Sequence, residues 1–277
     1  MRCLIVGGTG FIGYHAVLEL VRRGHAVSVL ALPPPATAEG EPCSRLFPSQ
    51  IRVTLADLVT LPDADVQALL AGHDAVVYAA GADDRITPRH PAYDFFYRAN
   101  VQATARFFAL ARVAGVRRGV VLGSYFTYFD RTWPHLALAR HHPYIRSRVE
   151  QANAALAAAG PELAPAVLEL PYIFGAMPGR LPLWVPLIRY VASPLPLVYP
   201  AGGTNMIAVG HVAEAIAGAL ERGQAGARYV IGDENLTWAD WLGRLTRLVG
   251  REKRVITAPA AALRGVARCV RLYHRLQ

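Results

Sequence analysis

Along the first 170 residues, short runs of consecutive apolar residues alternate with stretches whose apolar positions recur every three or four residues. The runs at 4–6, 26–32, 51–55, 74–80, 119–123 and 166–170 read as strands buried on both faces. The stretches at 11–23, 63–71 and 93–114 read as helices that stop at Gly24, Gly72 and Gly115. Pro143 opens a further helix, and Gly160-Pro161 closes it. Strands of this kind alternating with helices predict an α/β fold with a parallel sheet covered on both faces.

The pattern changes after Pro171. Prolines at 178, 182, 186, 194, 196 and 200 predict irregular structure, suited to a smaller lobe. A helix over 211–222, a strand over 228–231 and a helix over 238–248 follow. The last segment sets Arg264, Arg268, Arg271 and Arg275 on about one helical face, with Leu263, Val266, Val270 and Tyr273 away from it. Such a helix is expected to pack its apolar side on its own domain, a membrane-surface helix being the alternative. The helical pattern runs to Gln277, which leaves room for a further element beyond it.

The first strand, Leu4-Ile5-Val6, runs straight into Gly7, Gly8, Gly10 and Gly13, and the first helix follows. Dinucleotide binding requires that order. The glycines permit a sharp turn, let backbone N–H groups reach a pyrophosphate and let the helix pack on its strand. The helix N-terminus then faces the phosphates with partial positive charge. The predicted architecture is a Rossmann-type doubly wound parallel sheet with a smaller C-terminal substrate-binding lobe. Residues 1–170 form the dinucleotide-binding domain, a segment at about 205–232 returns to it, and 171–277 are mainly the substrate lobe.

The length, 277 residues, suits one large domain with a lobe, and the apolar share of 53% excludes wholesale disorder. Cys3, Cys43 and Cys269 are scattered and lack metal-ligand spacing, which predicts free thiols in a reducing, cytoplasmic compartment and no metal site. A strand at the N-terminus predicts no cleaved signal peptide, and no apolar run predicts a membrane span. The formal charge of +9 is almost all arginine, Lys253 being the only lysine. That balance suits an anionic ligand such as a dinucleotide. With no nucleic-acid motif present, nucleic acid is not an expected partner.

The whole chain resembles the extended branch of the short-chain dehydrogenase/reductase superfamily, the NAD-dependent epimerase/dehydratase family. Gly7, Gly10, Phe11, Ile12 and Gly13 match its glycine motif, and Asp57-Leu58 sits where the family contacts adenine. Ala79-Ala80-Gly81 matches the small-residue turn lining the cofactor, as do Pro171 and Ile173 further on. Asn100, Ser124 and Tyr144 match the active-site Asn, Ser and Tyr. The resemblance implies NAD or NADP as cofactor, a small-molecule substrate and a homodimer formed through a four-helix contact.

Three departures stand out. The family's Tyr-x-x-x-Lys is here Tyr144-Ile-Arg-Ser-Arg148, with both side chains on one helix face. A tyrosine must be lowered by about 3 pKa units, worth roughly 4 kcal/mol, to work near neutrality. Arginine supplies a permanent cation, and its planar fork suits both nicotinamide-ribose hydroxyls. It cannot give up a proton. Arg148 is therefore either a working substitute or the mark of a site that has left ordinary redox chemistry. Second, the end of the second strand reads Ala31-Leu32-Pro33, with no acidic residue for the adenosine ribose. Arg45 lies further along that loop, and the balance leans to NADP.

Third, Tyr172 stands where sugar-nucleotide members carry an Asn, and it cannot reproduce both amide functions. Tyr125, Phe126, Tyr128, Phe129 and Trp184 supply aromatic pocket walls, unless most of them are packing. Asp83, Asp84 and Arg85 follow the fourth strand at the edge where ligands bind, as substrate contacts or as a surface ion pair. His141-His142 read as a helix-entry loop and His211 as a helix start. The expected function is an NAD(P)-dependent oxidoreductase. It would transfer hydride between nicotinamide and a carbonyl or alcohol of a small, fairly apolar substrate. The alternatives are a sugar-nucleotide epimerase/dehydratase with retained NAD, and a non-catalytic dinucleotide-binding regulator or scaffold.

Overall fold

A computed structural model describes residues 1–34, 46–163, 165–259, 261, 264, 265, 268 and 269. Arg45, Arg271, Arg275 and the apolar side expected of the last helix lie outside the described residues.

The chain runs β1 (Arg2–Val6), α1 (Phe11–Arg22), β2 (Ala26–Ala31), β3 (Arg52–Leu55), α2 (Asp63–Leu70) and β4 (Ala75–Tyr78). Then come α3 (Ala92–Phe96), α4 (Ala103–Val113), β5 (Arg118–Ser124), α5 (Tyr125–Thr132), α6 (Leu138–His141), α7 (Pro143–Leu163), β6 (Ala166–Leu170) and β7 (Tyr172–Phe174). Next are α8 (Val185–Ala192), β8 (Leu197–Pro200), β9 (Gly203–Ala208), α9 (Val209–Arg222) and β10 (Arg228–Val230). The last are β11 (Glu234–Thr237), α10 (Trp238–Leu248) and β12 (Val255–Ala258).

Met1–Arg180 and Ala208–Ile231 form one compact unit; Leu181–Ile207 and Gly232–Gln277 form the other. The first unit is built on a seven-stranded sheet in the order β3-β2-β1-β4-β5-β6-β10, every pair parallel. This is the doubly wound α/β fold. Alternate strand residues face opposite sides, as strand geometry requires. Leu4, Val6, Val76, Tyr78 and Val121 pack against Val66, Leu70, Phe107, Phe108, Ala152 and Ala155 of α2, α4 and α7. Ile5, Val29 and Val77 alternate with them and are equally buried, as are Val17 and Leu20 of α1 and Val212 and Ile216 of α9. The strand order reverses between β1 and β4, and in such sheets ligands bind outside the carboxyl ends of the strands at that reversal.

In the second unit β9 pairs antiparallel with β11 and β8 parallel with β12. Thr237 caps α10 through its Oγ1, which accepts from the Asp240 N–H at 3.0 Å.

Three local features differ from the sequence pattern. The proline-rich stretch is not wholly irregular: Pro186 sits in the first turn of α8, where a missing N–H costs nothing. The stretch 93–114 is not one α-helix, because a π-helical turn, Tyr97–Gln102, joins α3 to α4 and carries Asn100. Residues 125–132 form a helix, α5, because Ser124 caps its start by accepting from the Phe126 N–H at 3.4 Å. Gly160, at φ 65° and ψ −177°, breaks the helical course of α7 where a stop was expected.

Candidate active site

The glycine turn is tight at both ends. Gly7 donates to the Leu30 carbonyl at 2.7 Å, Gly10 to Gly7 at 2.9 Å, and Tyr14 to Gly10 at 2.8 Å. Gly7 lies at φ +81°, and a Cβ there would stand 2.8 Å from the Ala79 carbonyl oxygen. A Cβ on Gly13 would stand 2.2 Å from the Gly7 oxygen. The start of α1 is therefore pressed onto the turn leaving β1, which itself touches the end of β4. The first turn of α1 holds no acidic residue, and no side chain caps Gly10. The amides of Phe11, Ile12 and Gly13 leave a positive helix end with no carboxylate in its own first turn, which fits a pyrophosphate.

Asp57 closes its own turn, its Oδ1 accepting from the Val59 N–H at 2.9 Å. The Leu58 carbonyl accepts from Arg106 at 2.6 Å, so the segment is fixed in place. Past β4, Ala79 and Ala80 lead to Gly81 at φ +137°, where a Cβ would meet Asn100 Oδ1 at 2.7 Å. Asn100 is fully buried. Its Oδ1 accepts from the Ala82 N–H at 2.8 Å, and its Nδ2 donates to the Ala82 carbonyl at 3.1 Å and to Ser147 Oγ at 3.0 Å. Ser147 Oγ donates in turn to the Tyr144 carbonyl at 2.7 Å. The π-helical turn thus ties the loop after β4 to the first turn of α7.

Tyr144 and Arg148 share one face of α7, the guanidinium carbon standing 5.2 Å from the phenol ring centroid. Arg148 Nη1 donates to Gln151 Oε1 at 2.7 Å and, at 3.5 Å, to the Leu122 carbonyl of β5. Arg148 Nε is buried with no hydrogen-bond partner among the described residues. Such a donor fits a ligand oxygen, the ribose hydroxyl of a dinucleotide included. Ser124 is buried at the end of β5, and its Oγ accepts within α5, its proton having no acceptor among the described residues.

Aromatic residues crowd α5. Tyr125 lies 4.8 Å from Phe126, 4.9 Å from Phe129 and 6.2 Å from Tyr172, while Phe129 stacks on Trp133 at 4.7 Å. Phe126 packs against the buried group of Ala82, Phe96, Tyr144 and Ile145. Tyr128 lies under Arg131 at 6.0 Å. Pro171 is buried, and Tyr172 and Ile173 are half-buried. Asp83 takes the Arg85 N–H at 3.0 Å and Arg85 Nε at 3.0 Å. Burial opposes its charge, but those hydrogen bonds hold its carboxyl below the usual range. Trp184 belongs to the second unit, 5.2 Å from Trp241. His141 ends α6, a short helix where a loop was expected.

Sequence reasoning missed the polar residues beneath the site. Glu169 of β6 has a fully buried side chain that accepts from Thr127 at 2.6 Å and from both Arg131 amino groups at 2.5 and 2.8 Å. It pins α5 to the sheet. Gln151 Nε2 donates to Thr104 Oγ1 at 3.0 Å, both residues being buried. The one signal for Gln151 was its place one turn after Arg148. Elsewhere, a cavity of about 340 Å³ opens between α2 and the β2–β3 face, lined partly by Ser28, Arg52, Asp65 and His73. It contains none of the candidate residues.

The chain is 28% identical over 262 residues to the 3-diazoavenalumate denitrifying reductase of a Streptomyces species, covering 90% of this chain and 82% of that one. It is 28% identical to the 4-hydroxy-2-methyl-3-oxo-4-farnesyl-3,4-dihydroquinoline-1-oxide ketoreductase of Stigmatella aurantiaca, covering 84% and 68%. Among solved structures, a double mutant of the Streptomyces venezuelae dTDP-glucose 4,6-dehydratase with NAD bound superposes with a TM-score of 0.70 at 24% identity, covering 94% and 85%. Residues 3–232 match a family model, and the chain belongs to the NAD dependent epimerase/dehydratase family.

Proposed function

We propose that this chain is an NAD(P)-dependent oxidoreductase that reduces, or forms, a carbonyl on a small and fairly apolar substrate. The observation that carries the reading is the pairing of Tyr144 and Arg148 on α7, 5.2 Å from ring to guanidinium. A Cβ on Gly81 would lie 3.5 Å from Arg148 Nη1, so the pair sits at the carboxyl edge of β4, beside the glycine turn. A nicotinamide held there would supply or take the hydride. The amides at the start of α1 would hold the pyrophosphate, and the Asp57-Leu58 turn and residues 79–81 would line the adenine and ribose. Ser124 Oγ–H donates to the substrate oxygen. Tyr144 gives that oxygen its proton as negative charge develops on it. The Arg148 cation stabilises the phenolate left behind, and its unpartnered Nε–H reaches for ribose. Arginine carries no exchangeable neutral form, so Tyr144 is reprotonated from water rather than through residue 148.

Tyr125, Phe126 and Tyr172 form the substrate wall, an aromatic one, with Asp83 held at its rim by Arg85. Two relatives with substantial overlap are named as a reductase and a ketoreductase, which supports net reduction. Tyr172 offers no amide where a sugar diphosphate would be held, which weighs against the epimerase/dehydratase reading. The end of β2, Ala31-Leu32, has no carboxylate to repel a 2′-phosphate, which supports NADP over NAD. A cytoplasmic homodimer is carried over from the cysteine pattern and the family resemblance. Light scattering tests this: a mass of two chains is expected, and a mass of one chain would overturn the homodimer. Among the described residues no helix is long and apolar enough to cross a membrane.

The test is NADPH oxidation by wild type and Tyr144→Phe over a panel of ketones and aldehydes. Loss of general acid catalysis predicts a fall in kcat of about 10²–10⁴-fold with the NADPH Kd unchanged. Equal turnover by the two proteins would overturn the role of Tyr144.

A further inference from the structure

Arg148 does not stand alone under the site. Its Nη1 is taken by Gln151 Oε1 at 2.7 Å, and the Gln151 amide is fixed from its other side by Thr104 Oγ1 at 3.0 Å. Thr104 is hydrogen-bonded in turn to the Tyr78 hydroxyl, and burial pushes that phenol up to about 12, so it stays neutral. The amide has one orientation only. Turned over, its NH₂ would face the guanidinium, donor against donor. Every member of the line Tyr78–Thr104–Gln151 is buried and uncharged.

We propose that Gln151 is the positioning residue that lets arginine serve where the family uses lysine. Its amide holds one amino group of Arg148 beneath Gly81 without supplying a counter-charge. The guanidinium is then fixed beside Tyr144 with no counter-charge from the residue that holds it, and its Nε–H, without a partner among the described residues, is left for the cofactor ribose. A carboxylate at 151 would reach the same Nη1 but would form a buried ion pair and cancel much of the field at Tyr144. An apolar residue would release the longer, more flexible side chain from its place. The inference rests on the reading of Arg148 as the active-site cation, and the experiment separates the two.

Other groups around Tyr144 are few. Arg85, paired with Asp83 on the loop after β4, acts on it electrostatically, and Asp83 acts on Arg148 in the same way. The His142 ring centroid lies 6.3 Å from the Tyr144 ring. The side chains of α3, α5 and α6 packed on it, Phe96, Phe126, Leu138 and Ala139, are apolar. None of these changes in the comparison below.

The experiment titrates the Tyr144 phenol in the cofactor-free protein by ultraviolet difference spectroscopy, each variant read against its own Tyr144→Phe counterpart. Gln151→Leu is expected to raise the midpoint by about one pH unit in the Arg148 background, with a loss of NADPH affinity. In the Arg148→Met background the same substitution is expected to leave the midpoint within about 0.2 units, because no cation remains to be positioned. Gln151→Glu is expected to raise the midpoint without displacing Arg148. If Gln151→Leu does not fold, Thr104→Val loosens the same amide from its other side and is expected to give the same coupled shift. An unchanged midpoint in the Arg148 background, or equal shifts in both backgrounds, overturns the proposal. A Tyr144 midpoint indifferent to Arg148→Met itself would instead sink the reading of Arg148 as the active-site cation.

Discussion

Gly13→Ala is the sharpest perturbation of the glycine turn. The added methyl would lie 2.2 Å from the Gly7 carbonyl oxygen and 2.8 Å from Gly8 Cα, both backbone atoms that cannot rotate away. Ordinary van der Waals contact of a Cβ begins at 3.4 Å, so α1 must move roughly 1 Å from the turn. Overpacking of this kind costs about 1–3 kcal/mol, and the better helix propensity of alanine returns up to about 1 kcal/mol. The net loss, up to about 3 kcal/mol, corresponds to a Tm lower by up to about 12 °C in a domain this size. The same shift pulls the first amides of α1 off the pyrophosphate. One lost charge-assisted hydrogen bond, about 1.5–3 kcal/mol, weakens NADPH binding by about tenfold or more. The assay is a thermal melt with and without NADPH, beside a fluorescence titration. Gly243→Ala in α10 is the control: its Cβ would meet nothing nearer than 3.9 Å, so its Tm is expected not to fall. Wild-type melting and wild-type affinity for Gly13→Ala would refute the close-approach argument.

Further outcomes follow from the polar groups. Glu169→Gln removes a fully buried carboxylate from Arg131, whose side chain is 43% exposed. The full cost of breaking a buried pair is tempered by that exposure, so a loss of about 2–3 kcal/mol is expected in urea unfolding. Hydrogen bonds from Arg22, against an opposing effect of burial, and from Arg23 hold the Glu19 carboxyl down at about 2. Its folded value is depressed, so its stabilisation is present above the ordinary 4.5 and lost as pH falls from there toward 2. Glu19→Gln should therefore flatten the acid limb of the stability–pH curve. Burial pushes the Cys3 thiol up to about 11, so native protein near neutrality should not alkylate there, whereas exposed Cys269 should, as peptide mass spectrometry would report.

The sheet was legible because parallel strands buried on both faces read as continuous apolar runs, and glycines marked the helix ends. The close approach at the glycine turn and the shared helix face of Tyr144 and Arg148 were legible for the same local reason: each depends on spacing within one element. What the chain conceals is nonlocal. Gln151 meets Thr104 across 47 residues of sequence, and Glu169 meets Arg131 across 38. No local pattern announces either pair. Asn100 stands out through the family resemblance, but the π-helical turn that aims it at Ala82 and Ser147 leaves no mark in the apolar spacing. The aromatic cluster at 125–133 was visible as composition, whereas its helical form follows from a cap supplied by Ser124. The prolines of residues 178–200 hid α8, since a proline in the first turn of a helix and one in a loop look alike in sequence.

Calorimetric titration of the wild-type protein with NADPH and with NADH tests the dinucleotide site most directly. Saturable binding at one site per chain is expected, tighter for NADPH, and a Tm that climbs with ligand concentration should accompany it. No binding of either nucleotide would contradict the assignment of the Gly7–Gly13 turn and every role built upon it.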